Sequence, residues 1–414
     1  MKKQILSLFF LVLWGKAEAQ AVRCAADSKA IENAAIHELI SRKVEEMRSE
    51  KLRKSALEEV IRIPVVVHVI HNNASGTRSG SNISDEQVFS QIEVLNEDYR
   101  RMPGTPGYNT NPVGADMQIE FFLANIDPDG HPTSGINRVY SSRRSFNILS
   151  ETRAISDLSY WDSNKYLNIW VTTLTGGYLG YAEFPIGNYD GLESTDIDER
   201  VDGVFIDYRA FGRKTGTVEA PYSFGRTTTH EVGHWLGLIH TWGDTRCGTD
   251  YCDDTPPAES SNNTLVCSPL YSNCRGVTTR NMIENYMDYT VDSCMSIFTQ
   301  DQKARVRAIL EISKRRQNLL AGVDIFEPVN DQLVLKIMGN PVEGSGLDCK
   351  VLVSEARDYK IEVFDDLGRV LFSEAYTNSL SRVIHIPKSR VGSGMRHLRL
   401  SSKDTQIDRR IIFL

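Results

Sequence analysis

This chain of 414 residues lacks a basic excess. Lysine and arginine number 47 against 54 aspartates and glutamates, so the net charge at pH 7 is -7. Nucleic-acid-binding proteins usually carry a basic surplus, so the composition predicts no nucleic-acid partner. A hydrophobic content of 41% and a charged content of 24% are ordinary for globular proteins and exclude wholesale disorder. At roughly 100–200 residues per domain, the length predicts two or three domains.

Long apolar runs are also absent. The run from residue 5 to residue 14 is too short to span a bilayer, and no later run reaches the ~18 residues of a transmembrane helix. Two lysines precede this run, and Ala17-Glu18-Ala19 follows it with the small-x-small pattern of a signal-peptidase site. The sequence therefore predicts a signal peptide over residues 1–19 and an exported, soluble protein. A buried N-terminal helix is the alternative interpretation.

Cysteine is scarce, at seven residues, which is too few for a disulfide scaffold of this length. Five of the seven lie between Cys247 and Cys294, whereas Cys24 and Cys349 stand apart. In an exported protein such a cluster indicates local disulfides. The odd total leaves at least one thiol free unless an intermolecular bond forms.

Glycine and proline are missing from residues 20–54, which are rich in Ala, Glu, Lys and Arg. This composition predicts a helical segment, and its few large apolar residues indicate that it packs on another domain. The segment ends in basic residues between Lys51 and Lys54, which form a candidate processing site. We therefore interpret residues 20–54 as a pro-segment.

Residues 55–322 alternate between strand-like and helix-like patterns. Ser84 with Gln87 three residues later fits a capping box that opens a helix. The apolar residues Val88, Ile92, Leu95 and Tyr99 then recur at helical spacing. Continuous apolar runs that are typical of buried strands occur in IPVVVHVIHN, IEFFLANI, YLNIWVTTL and DGVFIDY. The mixture predicts an α/β domain with a mixed sheet.

Residues 327–414 have a different texture, with short alternating runs and no helical spacing. One of these runs, YKIEVFDDLGRVLFSEAY, predicts a β-hairpin with Gly368 in its turn. About 85 residues of short strands favour a C-terminal β-sandwich.

The sequence HEVGHWLGLIH, from His230 to His240, predicts a metal site. His230 and His234 are four residues apart, so a helix places them on one face with Glu231 beside them. Gly237 can adopt a positive φ, which ends the helix and lets the chain return with His240 as a third ligand. Three imidazoles leave one zinc position open for water. Three structural histidines are the alternative, but a chance match to this extended pattern is on the order of 1 in 10^5.

Together with ENYMDYTVDSC downstream, this motif resembles the metzincin metallopeptidases and, within them, the pappalysin family. The resemblance runs from about residue 61 to residue 310. It implies a zinc endopeptidase whose upper subdomain of sheet and helices faces an irregular lower subdomain across a cleft.

The resemblance also implies residue roles. His230, His234 and His240 would bind zinc, and Glu231 would be the general base for attack by a zinc-bound water. Met287 would form the floor under the metal, and Tyr289 would stabilise the oxyanion. Core packing is the alternative role for these last two side chains.

The same resemblance suggests how substrates bind. Asp292 would line the pocket for the residue after the scissile bond and attract Arg or Lys, whereas a solvated loop aspartate is the alternative. Gly177 and Leu179, in GGYLGYA, would belong to the strand at the edge of the cleft that pairs with an extended substrate. A glycine-rich loop is equally compatible with that stretch.

The family pattern further implies two disulfides, Cys247 with Cys274 and Cys267 with Cys294, although Cys252 departs from that pattern. Clustered oxygens in CGTDYCDDTP suit a structural calcium ion, and a polar turn is the alternative. The candidate calcium ligands are Asp250, Asp253, Asp254 and Thr255.

Cys24 has a further interpretation, because it follows Arg23 within the pro-segment. Latent members of the family insert an Arg-Cys pair into the cleft, where the thiolate becomes the fourth zinc ligand. A stray thiol, or a disulfide partner for Cys252 or Cys349, is the alternative. Cys349 can equally be a small buried residue.

The C-terminal segment resembles the sorting domain of the type IX (Por) secretion system, through NPV at 340–342, YKIEVFDDLGRVL and the terminal RRIIFL. This resemblance implies a partner in the secretion machinery and a protein that is released or attached to the cell surface. An accessory binding domain is the alternative.

The sequence as a whole thus predicts a secreted, latent zinc endopeptidase that cleaves protein or peptide substrates before Arg or Lys. The alternative is a non-catalytic adhesin on the same scaffold. The intact Glu231 and the three histidines favour the enzyme.

Overall fold

The computed structural model describes residues 22–25, 34–51, 60–129, 131, 133–185, 188–189, 192–193, 198–321, 333–338, 341–342, 344–353, 357–379 and 382–414. The expected signal peptide, the basic residues Arg53 and Lys54, and Asn340 lie outside the described residues. None of the helices within these ranges combines the length and apolar character needed to cross a membrane.

The described helices are α1 (Ala34–Lys51), α2 (Asp85–Tyr99), α3 (Thr152–Ser156), α4 (Arg226–Trp235), α5 (Gln300–Ile312), α6 (Lys314–Ala321) and α7 (Lys388–Val391). The strands of the first half are β1 (Val22–Cys24), β2 (Ile61–His71), β3 (Ile119–Leu123), β4 (Ile136–Tyr140), β5 (Leu167–Thr172), β6 (Tyr178–Ala182), β7 (Asn188–Tyr189), β8 (Leu192–Glu193) and β9 (Gly203–Asp207). The strands of the second half are β10 (Tyr271–Cys274), β11 (Val277–Arg280), β12 (Val334–Met338), β13 (Gly346–Leu352), β14 (Arg357–Phe364), β15 (Val370–Ser379), β16 (Arg382–Pro387), β17 (Gly394–Ser402) and β18 (Gln406–Phe413).

The main sheet has the order β1-β6-β9-β5-β2-β3. β3 pairs with the N-terminal half of β2, and β4 pairs with its C-terminal half. Strands β2, β3, β4, β5 and β9 run parallel, whereas β6 runs antiparallel to β9. β2 is buried from Ile63 onwards, as its continuous apolar run predicts for a strand covered on both faces. The mixed sheet expected from the sequence is therefore present.

The helices α2 and α4 pack against the main sheet. Ser84 is the N-cap of α2, and its side chain accepts a hydrogen bond from the backbone amide of Gln87. The other half of the expected capping box does not form, which corrects that prediction. The Gln87 side-chain Oε1 instead accepts from the Thr217 amide at 2.9 Å. Its Nε2 donates to the carbonyls of Tyr208 and Phe211, so the buried amide group is satisfied by the chain that follows β9.

α2 and α4 share one hydrophobic core with the sheet. This core includes Val88, Leu95 and Tyr99 of α2 and Val232 and Trp235 of α4. It also contains Met287 and Tyr286 from the chain that follows α4, so the sheet, the helices and the irregular lower segment are packed as one body.

The lower segment between α4 and α5 has little regular structure among its described residues. It holds the short β10–β11 hairpin and a single 3₁₀ turn at Asp292–Cys294. Disulfides join Cys247 to Cys274 and Cys267 to Cys294, which are the pairs that the family resemblance implied. Cys24, Cys252 and Cys349 are buried and take part in neither disulfide.

The C-terminal residues form two antiparallel sheets. One has the order β12-β13-β16 and the other β15-β14-β17-β18, and residues of both sheets share one hydrophobic core. Gly368 lies in the turn between β14 and β15 with a φ of 79°. The one-turn helix α7 was not indicated by the alternating pattern.

Candidate metal centre and substrate pocket

The histidine motif lies on α4 and on the turn that follows it. The helix ends at Trp235, and Gly237 has a φ of +85°, a conformation that other residues rarely adopt. A Cβ atom at Gly237 would stand 1.9 Å from Cδ1 of Ile309, so space as well as conformation requires glycine. The chain reverses here and brings His240 back toward the helix.

The three imidazoles converge through their Nε2 atoms. His234 Nε2 lies 3.1 Å from His230 Nε2 and 3.0 Å from His240 Nε2. Each opposite ring nitrogen has a fixed acceptor: Nδ1 of His230 meets the Tyr286 carbonyl at 2.7 Å, and Nδ1 of His234 meets the Leu238 carbonyl at 2.8 Å. Nδ1 of His240 meets the Asp244 carboxylate at 2.5 Å. With Nδ1 donating, every Nε2 directs a lone pair to the common centre.

This donor set fits a zinc ion. Nitrogens bound tetrahedrally at ~2.05 Å would be about 3.3 Å apart, close to the observed separations. Burial and the neighbouring imidazoles lower the pKa of His230 well below its usual range, and burial with His240 lowers the pKa of His234 to about 3. The His230 and His234 rings are therefore neutral at physiological pH, which is the state that ligates a metal.

A thiol completes the centre from outside the catalytic motif. Cys24 Sγ lies with the three histidine nitrogens in a group whose ligand atoms are all within 4.8 Å of one another. β1 carries Cys24 along the edge of the main sheet, parallel to β6, with Cys24 opposite Gly180. The Ala25 amide donates to the Gly180 carbonyl at 3.1 Å, which holds the strand in this register.

Glu231 is fully buried beside this centre. Its Oε2 accepts from Cys24 Sγ at 3.4 Å, and its Oε1 has no hydrogen-bond partner among the described residues. Burial raises the pKa of Glu231 well above its usual range, and the contact with Cys24 lowers it in part. Such a carboxylate can take up a proton readily.

Gly180 explains how Glu231 fits against the edge strand. A Cβ at Gly180 would lie 2.7 Å from Cγ and 2.7 Å from Oε1 of Glu231. The part of the glycine-rich stretch that forms β6 thus approaches the Glu231 carboxylate closely. Leu179 lies within β6, but Gly177 lies in the turn before it with a φ of +77°, which corrects its expected place on the strand. That φ is incompatible with extended backbone.

Asp292 is buried beside the start of α4. Its Oδ2 accepts from the backbone amides of Phe224 at 3.0 Å and Arg226 at 3.1 Å. Its Oδ1 accepts from Nη2 of Arg23 at 2.6 Å, and Nη1 of the same guanidinium donates to the Thr290 carbonyl. The Asp292 carboxylate is therefore fixed by the backbone on one side and presents its other oxygen to a guanidinium.

Met287 and Tyr289 lie under and beside the imidazoles. Met287 is fully buried, and its carbonyl accepts from the Thr241 amide at 3.2 Å, next to His240. The Tyr289 ring lies 4.9 Å from the His240 ring between centroids, and its hydroxyl donates to the Cys24 carbonyl at 3.4 Å. Burial raises the pKa of Tyr289 further above its usual range, so the hydroxyl keeps its proton.

Sequence reasoning missed Asp98, at the end of α2. Its carboxylate accepts from Tyr286 Oη at 2.8 Å and Thr229 Oγ1 at 2.7 Å, and lies 3.1 Å from Nη2 of Arg226. Thr229 directly precedes His230, and the Tyr286 carbonyl accepts from the His230 ring. By bonding both Thr229 and Tyr286, Asp98 helps to position His230. Asp244, four residues after His240, was also missed, although that spacing was a readable signal.

The expected calcium ligands are only partly brought together. Asp250 is buried and accepts from Thr255 Oγ1 at 2.7 and 2.9 Å and from the Cys252 amide at 3.2 Å. Burial raises the pKa of Asp250 to about 7. Asp254 accepts from the Asp301 amide at 3.0 Å, whereas Asp253 is exposed. In the described ranges, these residues do not form a cluster of three or more His, Cys, Asp or Glu side chains around one point.

Comparisons with known proteins agree with this geometry. A peptidase family model described as pregnancy-associated plasma protein-A matches residues 154–311. An extracellular metalloprotease of Verticillium alfalfae is 34% identical over 250 residues, which are 60% of this chain and 75% of the relative. Extracellular metalloprotease 1 of Coccidioides posadasii is 32% identical over 254 residues, 61% of this chain and 78% of the relative.

Two solved structures are similar to this chain. Mature mirolysin of Tannerella forsythia in complex with a cleaved peptide is 40% identical with a TM-score of 0.56, covering 64% of this chain and 97% of that chain. A promirolysin mutant from the same organism is 37% identical with a TM-score of 0.58, covering 72% and 97%. With the histidine centre, these matches establish that the chain belongs to the pappalysin family of metalloendopeptidases, whose members use zinc.

Proposed function

We propose that this protein is a secreted, latent zinc endopeptidase that hydrolyses peptide bonds before Arg or Lys. The observation that supports the specificity is the buried ion pair between Arg23 and Asp292, in which a basic side chain meets a carboxylate out of contact with solvent. A substrate Arg would make the same charge-assisted bond, and Lys would reach the same oxygen.

Zinc would be held by His230, His234 and His240, and when bound it supplies Lewis-acid chemistry that activates water and polarises a carbonyl. Glu231 accepts the proton of the attacking water and delivers it to the leaving amine, a role suited to a buried carboxylate of raised pKa. Tyr289 keeps its hydroxyl proton and donates a hydrogen bond to the developing oxyanion. Met287 packs beneath the imidazoles and keeps the turn rigid.

The substrate backbone would pair with the edge of β6, which is paired with β1 in this structure. Leu179 lies on this strand and would line the substrate site. Gly177, in the preceding turn, would let the strand begin close to the cleft.

Latency would come from the pro-segment, residues 20–54, through the Cys24 thiolate as the fourth zinc ligand. The support is its Sγ within the histidine group and Arg23 in the pocket of Asp292. The same side chains that select substrates would thus hold the precursor silent until the segment is cut. The catalytic domain would then span residues 55–322.

Of the expected calcium ligands, the buried Asp250 and its hydrogen-bond partner Thr255 would supply oxygens to a structural calcium ion, whereas Asp254 accepts from the Asp301 amide and Asp253 is exposed. Buried carboxylate oxygen is the hard ligand that calcium prefers, and a bound cation would offset the cost of burying the Asp250 charge. The signal peptide, residues 1–19, would direct export.

Residues 327–414 would form a β-sandwich that the type IX secretion machinery recognises, with release from the cell or attachment to its surface as the outcome. The support is the pair of antiparallel sheets sharing one core.

The experiment that tests the proposed activity is cleavage-site profiling on a peptide library derived from a whole proteome, with purified mature protein. The expected result is Arg or Lys immediately after the cut bond. Cleavage with no basic preference at that position would contradict the proposed specificity, and no cleavage by a zinc-loaded protein would contradict the proposed activity.

A further inference from the structure

The helix α1 is attached to the catalytic core by its own apolar contacts, away from the histidine centre. Ile36 and Ile40 are buried one turn apart on α1, and they pack with Ala308 and Ile309 of α5 in a separate hydrophobic cluster. Leu39, Val44 and Met47 pack against the same cluster. Residues at this spacing form one face of a helix, so α1 is amphipathic toward α5.

Between the two isoleucines, His37 fills a pocket of the catalytic domain. It is fully buried and stacks on the Tyr251 ring at 4.5 Å between centroids, with an angle of 20° between the planes. The Phe184 ring meets it edge-on at 6.3 Å, and Nη2 of Arg305 lies 2.8 Å from Nδ1 of His37. Two aromatic rings and a guanidinium therefore enclose one imidazole, which gives this contact a defined orientation.

Ion pairs extend the contact along the helix. Lys43 Nζ lies 3.1 Å from Glu311 of α5, and Arg48 pairs with Asp301 at the start of that helix. Both pairs are partly exposed, so they add orientation more than affinity.

The residues beneath α1 also touch the turn that carries the third histidine. Nε of Arg305 donates to the Gly237 carbonyl at 2.8 Å, and Ile309 fills the space against Gly237. The side chains that hold α1 are thus the side chains that pack behind the metal-site turn.

We propose that the groove formed by Phe184, Tyr251, Arg305, Ala308 and Ile309 is an exosite for an amphipathic helix. Its occupant after activation cleavage is this chain's own α1, bound independently of Arg23 and Cys24. The proposal rests on the proposed function only in taking α1 as part of a pro-segment that is cut.

A two-step activation follows from the order of the elements. A cut between Lys51 and Lys54 leaves β1 and α1 on one fragment, so bound α1 keeps Cys24 at high effective concentration near the zinc site. Cutting therefore does not by itself free the cleft, and α1 must leave the groove first. After complete cutting, the active fraction should rise on dilution, since dilution shifts the equilibrium toward the dissociated fragment.

The test uses the full-length precursor with Glu231→Ala, which prevents self-processing, and with the recognition sequence of a site-specific protease inserted after Lys54. After cutting, retention of the N-terminal fragment is measured by size-exclusion chromatography with mass spectrometry over a dilution series. Fragments with Arg23→Ala and Cys24→Ala together should still co-elute with the catalytic domain. His37→Ala or Ile40→Asp, added to that double variant, should weaken retention at least about tenfold.

Two further variants separate binding from misfolding. Glu45→Ala, on the exposed face of α1, is the matched control and should retain the fragment like its parent. Tyr251→Asn removes the stacking ring from the groove; asparagine tolerates the φ of +59° at this position, and the side chain is 40% exposed, so the fold should persist while retention falls.

Loss of the fragment from the Arg23/Cys24 double variant at every concentration would overturn the proposal. So would equal retention of the His37→Ala, Ile40→Asp and Glu45→Ala fragments. Fragment retention is measured without catalysis, so the result does not depend on whether the enzyme prefers Arg or Lys. Conversely, loss of retention would contradict the exosite and would not bear on the proposed specificity.

Discussion

Nη2 of Arg23 lies 2.6 Å from Oδ1 of Asp292, and both side chains are almost completely removed from solvent. A buried charge pair of this kind is costly to break, because the remaining partner stays desolvated. The other carboxylate oxygen accepts from the amides of Phe224 and Arg226, so the position of the Asp292 carboxylate does not depend on Arg23 alone. Under the proposed function, this contact would link the latency of the precursor to the specificity of the mature enzyme.

Asp292→Ala in the mature enzyme should reduce kcat/KM for substrates with Arg after the cut bond by ~2–4 kcal/mol, the loss expected on breaking a buried charge pair. The measurement is steady-state kinetics together with cleavage-site profiling. Asp292→Asn, which keeps the shape of the side chain but not its charge, should have a kcat/KM between those of wild type and Asp292→Ala. If the cleavage-site logos of the two variants match that of the wild type, this pocket does not select the basic residue.

Glu231→Ala should reduce peptide hydrolysis at least ~10^3-fold, because the base that accepts the proton of water is gone. Zinc content, measured by inductively coupled plasma mass spectrometry, should remain at one per chain, since the three histidines are untouched. Near-normal turnover in a zinc-loaded variant would remove Glu231 from the mechanism.

Cys24→Ala should give a precursor that processes itself sooner than wild type, because no thiolate competes for the fourth zinc position. The measurement is the rate of appearance of the shortened chain on gels, with Glu231 intact in both proteins. Cys349→Ala, which removes a buried cysteine that lies outside both disulfides, is the matched control and should process like wild type. Equal rates for Cys24→Ala and wild type would leave Cys24 as an ordinary thiol.

Asp250 should make folding stability depend on pH when calcium is chelated. Burial raises its pKa to about 7, against ~3.9 in an unfolded chain, so the folded state holds the proton more tightly. The resulting stability is complete below pH ~4 and is lost as pH rises through about 7, by at most about 4 kcal/mol.

The measurement for Asp250 is chemical denaturation between pH 4 and pH 8 with EDTA, in wild type and in Asp250→Asn. In Asp250→Asn, the free energy of unfolding should depend less steeply on pH, because the titrating carboxyl is gone. Calcium should raise the stability of wild type at pH 8 and not that of the variant. A calcium effect that is equal in both proteins would place the ion elsewhere.

Deletion of residues 327–414 should abolish export if the secretion machinery reads the C-terminal sheets. The full-length Glu231→Ala protein is the control, since it keeps those sheets and lacks only proteolysis. The measurement is the share of the protein in the medium and on the cell surface. Normal export of the truncated protein, with loss of adhesion to host protein or glycan, would support an accessory binding domain instead.

Short-range patterns determined much of this protein. The i, i+4 spacing of His230 and His234 places both on one helix face whatever surrounds them, and Gly237 ends that helix because few other residues adopt its φ. The buried strand β2 and the hairpin around Gly368 also follow from local alternation and turn chemistry. The cysteine pairs and the role of Asp292 came from family resemblance, not from spacing.

The tertiary structure alone decided which distant residues meet. Asp98 reaches Thr229 and Tyr286 across 131 and 188 positions of the chain, and no local period encodes such a contact. The close approach of Gly180 to Glu231 and the burial of His37 against Tyr251 and Arg305 depend equally on how a strand edge and two helices pack. Sequence patterns report which face of an element is buried, but the partner on that face is chosen only when the whole core closes.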